Sequence, residues 1–145
     1  MSIELLIQIA TLIGVAVAAG SLIIGVIAYK RQINAQLFIE YTKRYEQIMS
    51  QFPDSAIYWR LDSAKHIPQE SRELSEAMLK YLNLCSEEFY LQNKRYLSKN
   101  IWSIWEDELK KTLANDLYRR EWPKLKSEFS SYPAFSDYVE AIQRS

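Results

Sequence analysis

Glycine is scarce in this chain, and where it is missing matters. Gly14, Gly20 and Gly25 are the only three in 145 residues, so none follows position 25. That excludes most tight hairpin turns, which rely on positive φ. It also excludes every glycine-dependent phosphate loop or nucleophile elbow beyond that point. Histidine and cysteine occur once each, as His66 and Cys85. Zinc or haem sites built from such residues therefore lack ligands, and no intrachain disulfide can form. The Glu-x-x-His pairing of di-iron bundles is missing too. An excess of charge of either sign is also lacking: 18 basic residues face 18 acidic ones. Glu4 is the one charge before position 30, so the remainder carries about +1, with no basic field to attract a phosphate backbone. No nucleic acid, cofactor, metal, catalytic residue or small-molecule substrate is inferred from this composition.

What is present begins with an apolar run. From Leu5 to Tyr29 the sole ionisable side chain is the terminal tyrosine. About 25 residues make roughly 37 Å of helix, against a hydrocarbon core of roughly 30 Å. A cleaved signal peptide would need a basic n-region and a shorter apolar stretch, but this chain opens Met-Ser-Ile-Glu. The run reads as a retained transmembrane helix over residues 3–29. Lys30 and Arg31 follow at once, with Lys43 and Arg44 further on. By the positive-inside rule they predict the N-terminus outside and residues 30–145 in the cytoplasm. Lone Cys85 agrees with a reducing compartment.

Small side chains in the span keep register. Thr11, Gly14, Ala18, Ser21, Gly25 and Ala28 are spaced alternately by three and four, while the rest of the span is mostly Ile, Leu and Val. In lipid, helices associate by close backbone approach, which such a seam permits. The span holds no ionisable group for a proton or ion relay.

The remainder is expected to be all α, a bundle of about four helices continuing from the transmembrane helix, with Pro53, Pro68, Pro123 and Pro133 as punctuation. Ile33, Leu37, Tyr41, Tyr45, Ile48 and Phe52 form one stripe, ended by Phe52-Pro53-Asp54. Asp54 or Ser55 is expected to cap a short helix through Leu61. A central helix opens near Pro68 and carries Leu74, Met78, Tyr81, Leu82, Cys85 and Phe89 on one face. Further helices are expected from Ser98 or Asn100 to Leu113, from Asn115 towards Phe129 with a break at Trp122-Pro123, and from Pro133 onward.

Few residues point to chemistry. Arg60 followed by His66 resembles the motif of nucleotide- and RNA-cutting helical bundles, where such residues gather at a dimer interface. Here the pair falls between helices, beside Pro68. Glu87 and Glu88 lie on the central helix beside Asn83, and the three are expected to form a buried polar network, one glutamate turning inward to bind Arg or Trp groups of a neighbouring helix. Cys85, on an apolar face, reads as a small core residue. Abundant Trp and Tyr suit a core, a protein-binding surface or a headgroup-level belt.

The segment Tyr81-Leu82-Asn83-Leu84-Cys85-Ser86-Glu87-Glu88-Phe89-Tyr90-Leu91, with Tyr96, Trp102, Trp105 and Trp122, resembles a domain-of-unknown-function family of bacterial single-pass membrane proteins with a small helical domain. Their pattern has Leu-Asn near a Glu, a turn with Gly, then a Trp-bearing helix; Arg95 stands about where that glycine would be. The resemblance implies an anchored bundle and a bacterial source, and carries no activity.

The expected function is that of a non-catalytic accessory subunit or assembly scaffold, working through helix–helix contacts with membrane lipid, copies of itself or a larger membrane complex as partners. The alternatives are a homo-oligomeric pore-forming effector of the antiphage type and a membrane-tethered RNA-cleaving bundle using Arg60 and His66.

Overall fold

The computed structural model describes residues 2–62 and 66–144. Among them every regular element is helical, and the chain divides into two units, residues 1–37 and 38–145.

The first unit is built from helix α1 (Ile3–Met49), whose last turns belong to the second unit. Helical pairing satisfies its backbone internally, the condition for crossing lipid. The helix is long and apolar enough to span a membrane, and between Ile3 and Tyr29 every residue but Gly20 is exposed. The hydroxyl of Thr11 donates to the carbonyl of Ile7 at 2.8 Å, so this polar side chain is satisfied within its own helix.

In the second unit, α1 stops before Phe52-Pro53 and α2 (Asp54–Leu61) follows. Pro53 itself occupies the N-cap, and its carbonyl accepts from Ala56 and Ile57 at 2.9 and 3.2 Å. Neither Asp54 nor Ser55 caps the helix as expected: Asp54 is its first residue, where its charge meets the positive end of the dipole.

Helix α3 (Arg72–Asn93) starts later than Pro68 suggests, because Ser71 is the cap and its Oγ accepts from the Leu74 amide at 3.1 Å. Glu70 thus precedes the helix, and Glu73 lies in its first turn. Leu74, Ala77, Met78, Tyr81, Leu82, Leu84 and Cys85 are all buried, which makes α3 the central element.

Its end carries a backbone feature. Arg95 adopts φ of 59°, the left-handed region, while the Tyr96 amide reaches Leu91 O at 2.9 Å and the Arg95 amide reaches Gln92 O at 2.8 Å. This is a Schellman cap built without glycine. A non-glycine residue there costs about 1 kcal/mol. Arg95→Gly should therefore stabilise the domain and raise its melting temperature by about 4 °C. A melting point at or below the parent's would show that Arg95 makes compensating interactions.

Helix α4 (Lys99–Leu113) is capped by Ser98 and α5 (Asp116–Leu125) by Asn115, whose Oδ1 accepts from Tyr118 at 3.0 Å. The expected break at Trp122-Pro123 is displaced. The helix runs through Pro123 to Leu125 and only then tightens into a 3-10 turn, Lys126–Phe129. Pro123 and Arg119, whose carbonyl loses its helical donor, are both exposed, so water can solvate that carbonyl. Helix α6 (Pro133–Arg144) opens on proline, whose missing amide costs nothing at a first turn. Among the described residues five helices thus follow α1.

The core is aromatic. Phe89 lies 4.6 Å from Tyr138, 5.9 Å from Phe135 and 6.4 Å from Trp102, joining α3 to α4 and α6. Phe135 and Val139 are fully buried.

Candidate functional site

Glu87 and Glu88 are neighbours in sequence with opposite fates. A step of one residue turns about 100° around a helix, so the two carboxylates cannot share an environment. Glu87 points towards α1, where Arg44 grips it through both nitrogens: Nη1 donates to Oε2 at 2.6 Å and Nη2 to Oε1 at 2.9 Å. Tyr41 adds a longer bond from its hydroxyl at 3.3 Å. The fork geometry is the strong form of carboxylate recognition. Hydrogen bonding to Arg44 holds the Glu87 carboxyl below the usual carboxylate range, while burial and the Glu87 charge push the Tyr41 phenol up to about 12.

Glu88 is only 8 % exposed. Among the described residues no hydrogen bond or ion pair reaches its carboxyl. Burial raises its pKa from the ordinary 4.5 to about 8, with Arg44 opposing the shift and Glu87 adding to it. At neutral pH it is therefore largely protonated.

Glu88 lines a cavity of about 390 Å³. Helix α1 contributes Phe38, Tyr41, Thr42 and Tyr45, which recur at helical spacing; α3 contributes Tyr81 and Glu88, two turns apart. Helix α4 adds Ile104, Trp105, Glu108 and Lys111 along one face, with Asp107 and Leu109 beside them. Trp105 stacks on Phe38 (centroids 6.1 Å, planes 9° apart) and sits 5.3 Å from Tyr41.

The residues singled out in the sequence are placed as follows. Asn83 is exposed and joins no buried network; its carbonyl accepts from the Ser86 hydroxyl at 2.8 Å. The reason is helical phase, since Asn83 falls on the solvent side of α3. Cys85 is buried, and desolvation pushes its thiol well above the ordinary value, which keeps it protonated and unreactive. Arg60, on α2, is ion-paired to Glu108 and lies over the Tyr45 ring at 5.8 Å. His66 is exposed outside any helix, and among the described residues no hydrogen bond or ring contact joins it to Arg60. On α1, a Cβ added at Gly14 or Gly25 would meet nothing within 4 Å, and Thr11, Ala18, Ser21 and Ala28 are exposed. Among the described residues no group of three or more His, Cys, Asp or Glu is placed to hold a metal ion.

Two features had no clear mark in the sequence. Arg44 sits among the basic residues that follow the apolar run, yet its partner is 43 positions away. Glu121 lies in a charged stretch but is 0 % exposed, bridged by Arg120 Nε at 2.8 Å and Lys124 Nζ at 3.2 Å. Arg120 also donates to Pro68 O at 2.7 Å, and Lys124 pairs with Glu70 at 2.7 Å, which ties the segment before α3 to α5.

Comparison of the chain with protein-family models, with curated proteins and with solved structures yields no significant match.

Proposed function

We propose that this protein is a non-catalytic, single-pass membrane protein of the bacterial inner membrane, with its N-terminus outside and its helical domain in the cytoplasm, acting as an accessory subunit or assembly scaffold. One observation carries the reading. Every residue but Gly20 from Ile3 to Tyr29 is exposed, although after Glu4 the stretch is apolar apart from Gln8, Thr11, Ser21 and the Tyr29 hydroxyl. A contiguous apolar surface of that extent is covered by lipid or by a partner. The basic residues after Tyr29 support the orientation.

Within the membrane the contact surface is the seam of Thr11, Gly14, Ala18, Ser21, Gly25 and Ala28. Nothing in the chain itself crowds Gly14 or Gly25. Bulk added there is therefore harmless to the isolated helix and felt only by whatever packs on it.

The test is crosslinking in native membranes, with mass determination of the gently solubilised protein and any co-purifying chains. The Gly14→Leu, Gly25→Leu double variant should insert normally and lose at least about tenfold of the crosslinked species, the equivalent of a contact worth about 1.4 kcal/mol. Equal crosslinking of the variant and the parent would sink the seam as the contact surface.

A further inference from the structure

The cavity beside Glu88 has a chemistry that selects its occupant. Its walls are mostly aromatic, and aromatic faces carry negative charge density that attracts cations. Two such contacts are already made here: the Arg44 guanidinium lies over the Tyr41 ring at 5.1 Å, and that of Arg60 over the Tyr45 ring at 5.8 Å. Both arginines are neutralised by their own partners, Glu87 and Glu108. Trp105, the ring type that binds cations best, also lines the cavity. So does Glu88, more than nine-tenths buried and unpaired among the described residues. With Glu108 engaged by Arg60, Asp107 and Lys111 offset one another, and the Glu88 carboxyl sets the sign of the wall.

We propose that this cavity is a binding site for a small organic cation bearing an alkylated ammonium group, held against the Trp105 ring with the Glu88 carboxylate as counter-ion.

Size and hydration narrow the class. About 390 Å³ lies within the range of small-molecule sites, roughly 300–1,000 Å³. A hard divalent cation wants about six oxygen ligands, which these walls do not offer. A primary ammonium is compact and strongly hydrated, and would lose more water than one buried carboxyl replaces. An alkylated ammonium is weakly hydrated and presents methyl groups to rings while keeping its charge. This is the pairing that aromatic cages exploit.

The carboxyl proton makes binding depend on pH. Glu88 is faced by Tyr41 and Arg44 from α1 and has Glu87 and Cys85 beside it on α3. Tyr45, Tyr81, Asp107, Glu108 and Lys111 share its cavity. Below pH 8 a bound cation must first displace the Glu88 proton into solvent, so its affinity falls as pH falls. Since Glu88 lies in the helical domain, this inference stands whether or not α1 crosses a membrane.

The experiment is titration of the full chain, in a nonionic maltoside, with tetramethylammonium and choline, followed by calorimetry and tryptophan fluorescence. The control is 3,3-dimethylbutanol, the uncharged isostere of choline. Saturable binding of the cations is expected, at least about tenfold tighter than that of the alcohol and weakening about tenfold for each pH unit below 8. Glu88→Gln and, separately, Trp105→Leu should each weaken it by at least about tenfold, with the far-ultraviolet spectrum unchanged. A parallel arm uses micelles doped with a phosphocholine lipid. Tighter binding there than to choline identifies a lipid headgroup as the source, and equal binding identifies a free solute. No saturable binding in either arm, or equal affinity in Glu88→Gln, overturns the proposal.

Discussion

At pH 9 the Glu88→Gln variant should be more stable than the parent by several kcal/mol, and at pH 5 the two should be nearly equal. An unfolded glutamate gives up its proton near 4.5, whereas burial delays loss of the Glu88 proton to about 8. Between those values the folded state binds more protons than the unfolded one, so stability falls as pH rises. The full effect is on the order of 5 kcal/mol. Glutamine fills the same space without a charge and removes that slope. Glu87 acts in the opposite sense: its pKa is depressed by Arg44, so its contribution is fully present above the usual carboxylate value and is lost as pH falls from there through the depressed one. The parent should therefore be most stable on the acid side of neutrality, with both flanks traceable to adjacent residues. Denaturant melts of the full chain in maltoside from about pH 2 to 9 measure this, and a parallel alkaline decline in Glu88→Gln would refute the assignment.

Glu121→Ala should destabilise the domain by about 3 kcal/mol, the scale for breaking a buried ion pair by removing one partner. The carboxylate is fully enclosed and engages Arg120 and Lys124. Lys124 keeps Glu70, but Arg120 already has one buried nitrogen, Nη2, without a partner. Truncation also leaves a cavity and loosens the tie between α5 and Pro68. Glu121→Gln, which keeps the volume and an acceptor oxygen, should cost about half as much. A cost below about 0.5 kcal/mol for the alanine variant would mean that water or another acceptor replaces the carboxylate.

These two residues mark where sequence reasoning stops. Helix existence was legible because apolar residues recur at helical spacing and proline interrupts them: Pro53 and Pro133 bound elements as expected, and Ser98 caps α4. Errors came at the ends, where tertiary context chooses among equivalent caps. Ser71 outcompetes the region around Pro68, and Pro53 occupies a cap position offered to Asp54 or Ser55. The glutamates on α3 were visible as a pair, but the partner of Glu87 was not, because helical phase places Arg44 opposite it only after α1 and α3 pack. Asn83 is close to that pair in sequence but not in helical phase, and it faces solvent. Glu121 gave no signal: in Arg119-Arg120-Glu121 it reads as solvated surface, and only the packing of α5 encloses it.

The ring cluster around Phe89 also gives the domain an optical signature. Tyr132, at 6.0 Å, completes a shell in which Phe89 touches rings from α4 and α6 at fixed tilts. Rings locked in one chiral arrangement rotate near-ultraviolet light strongly, and methyl groups facing them resonate outside their usual range. A state that keeps its helices but lets these rings turn would lose the near-ultraviolet signal while the far-ultraviolet one survives. The domain thus reports on its own packing without a label, and light separates helix content from a correctly closed core.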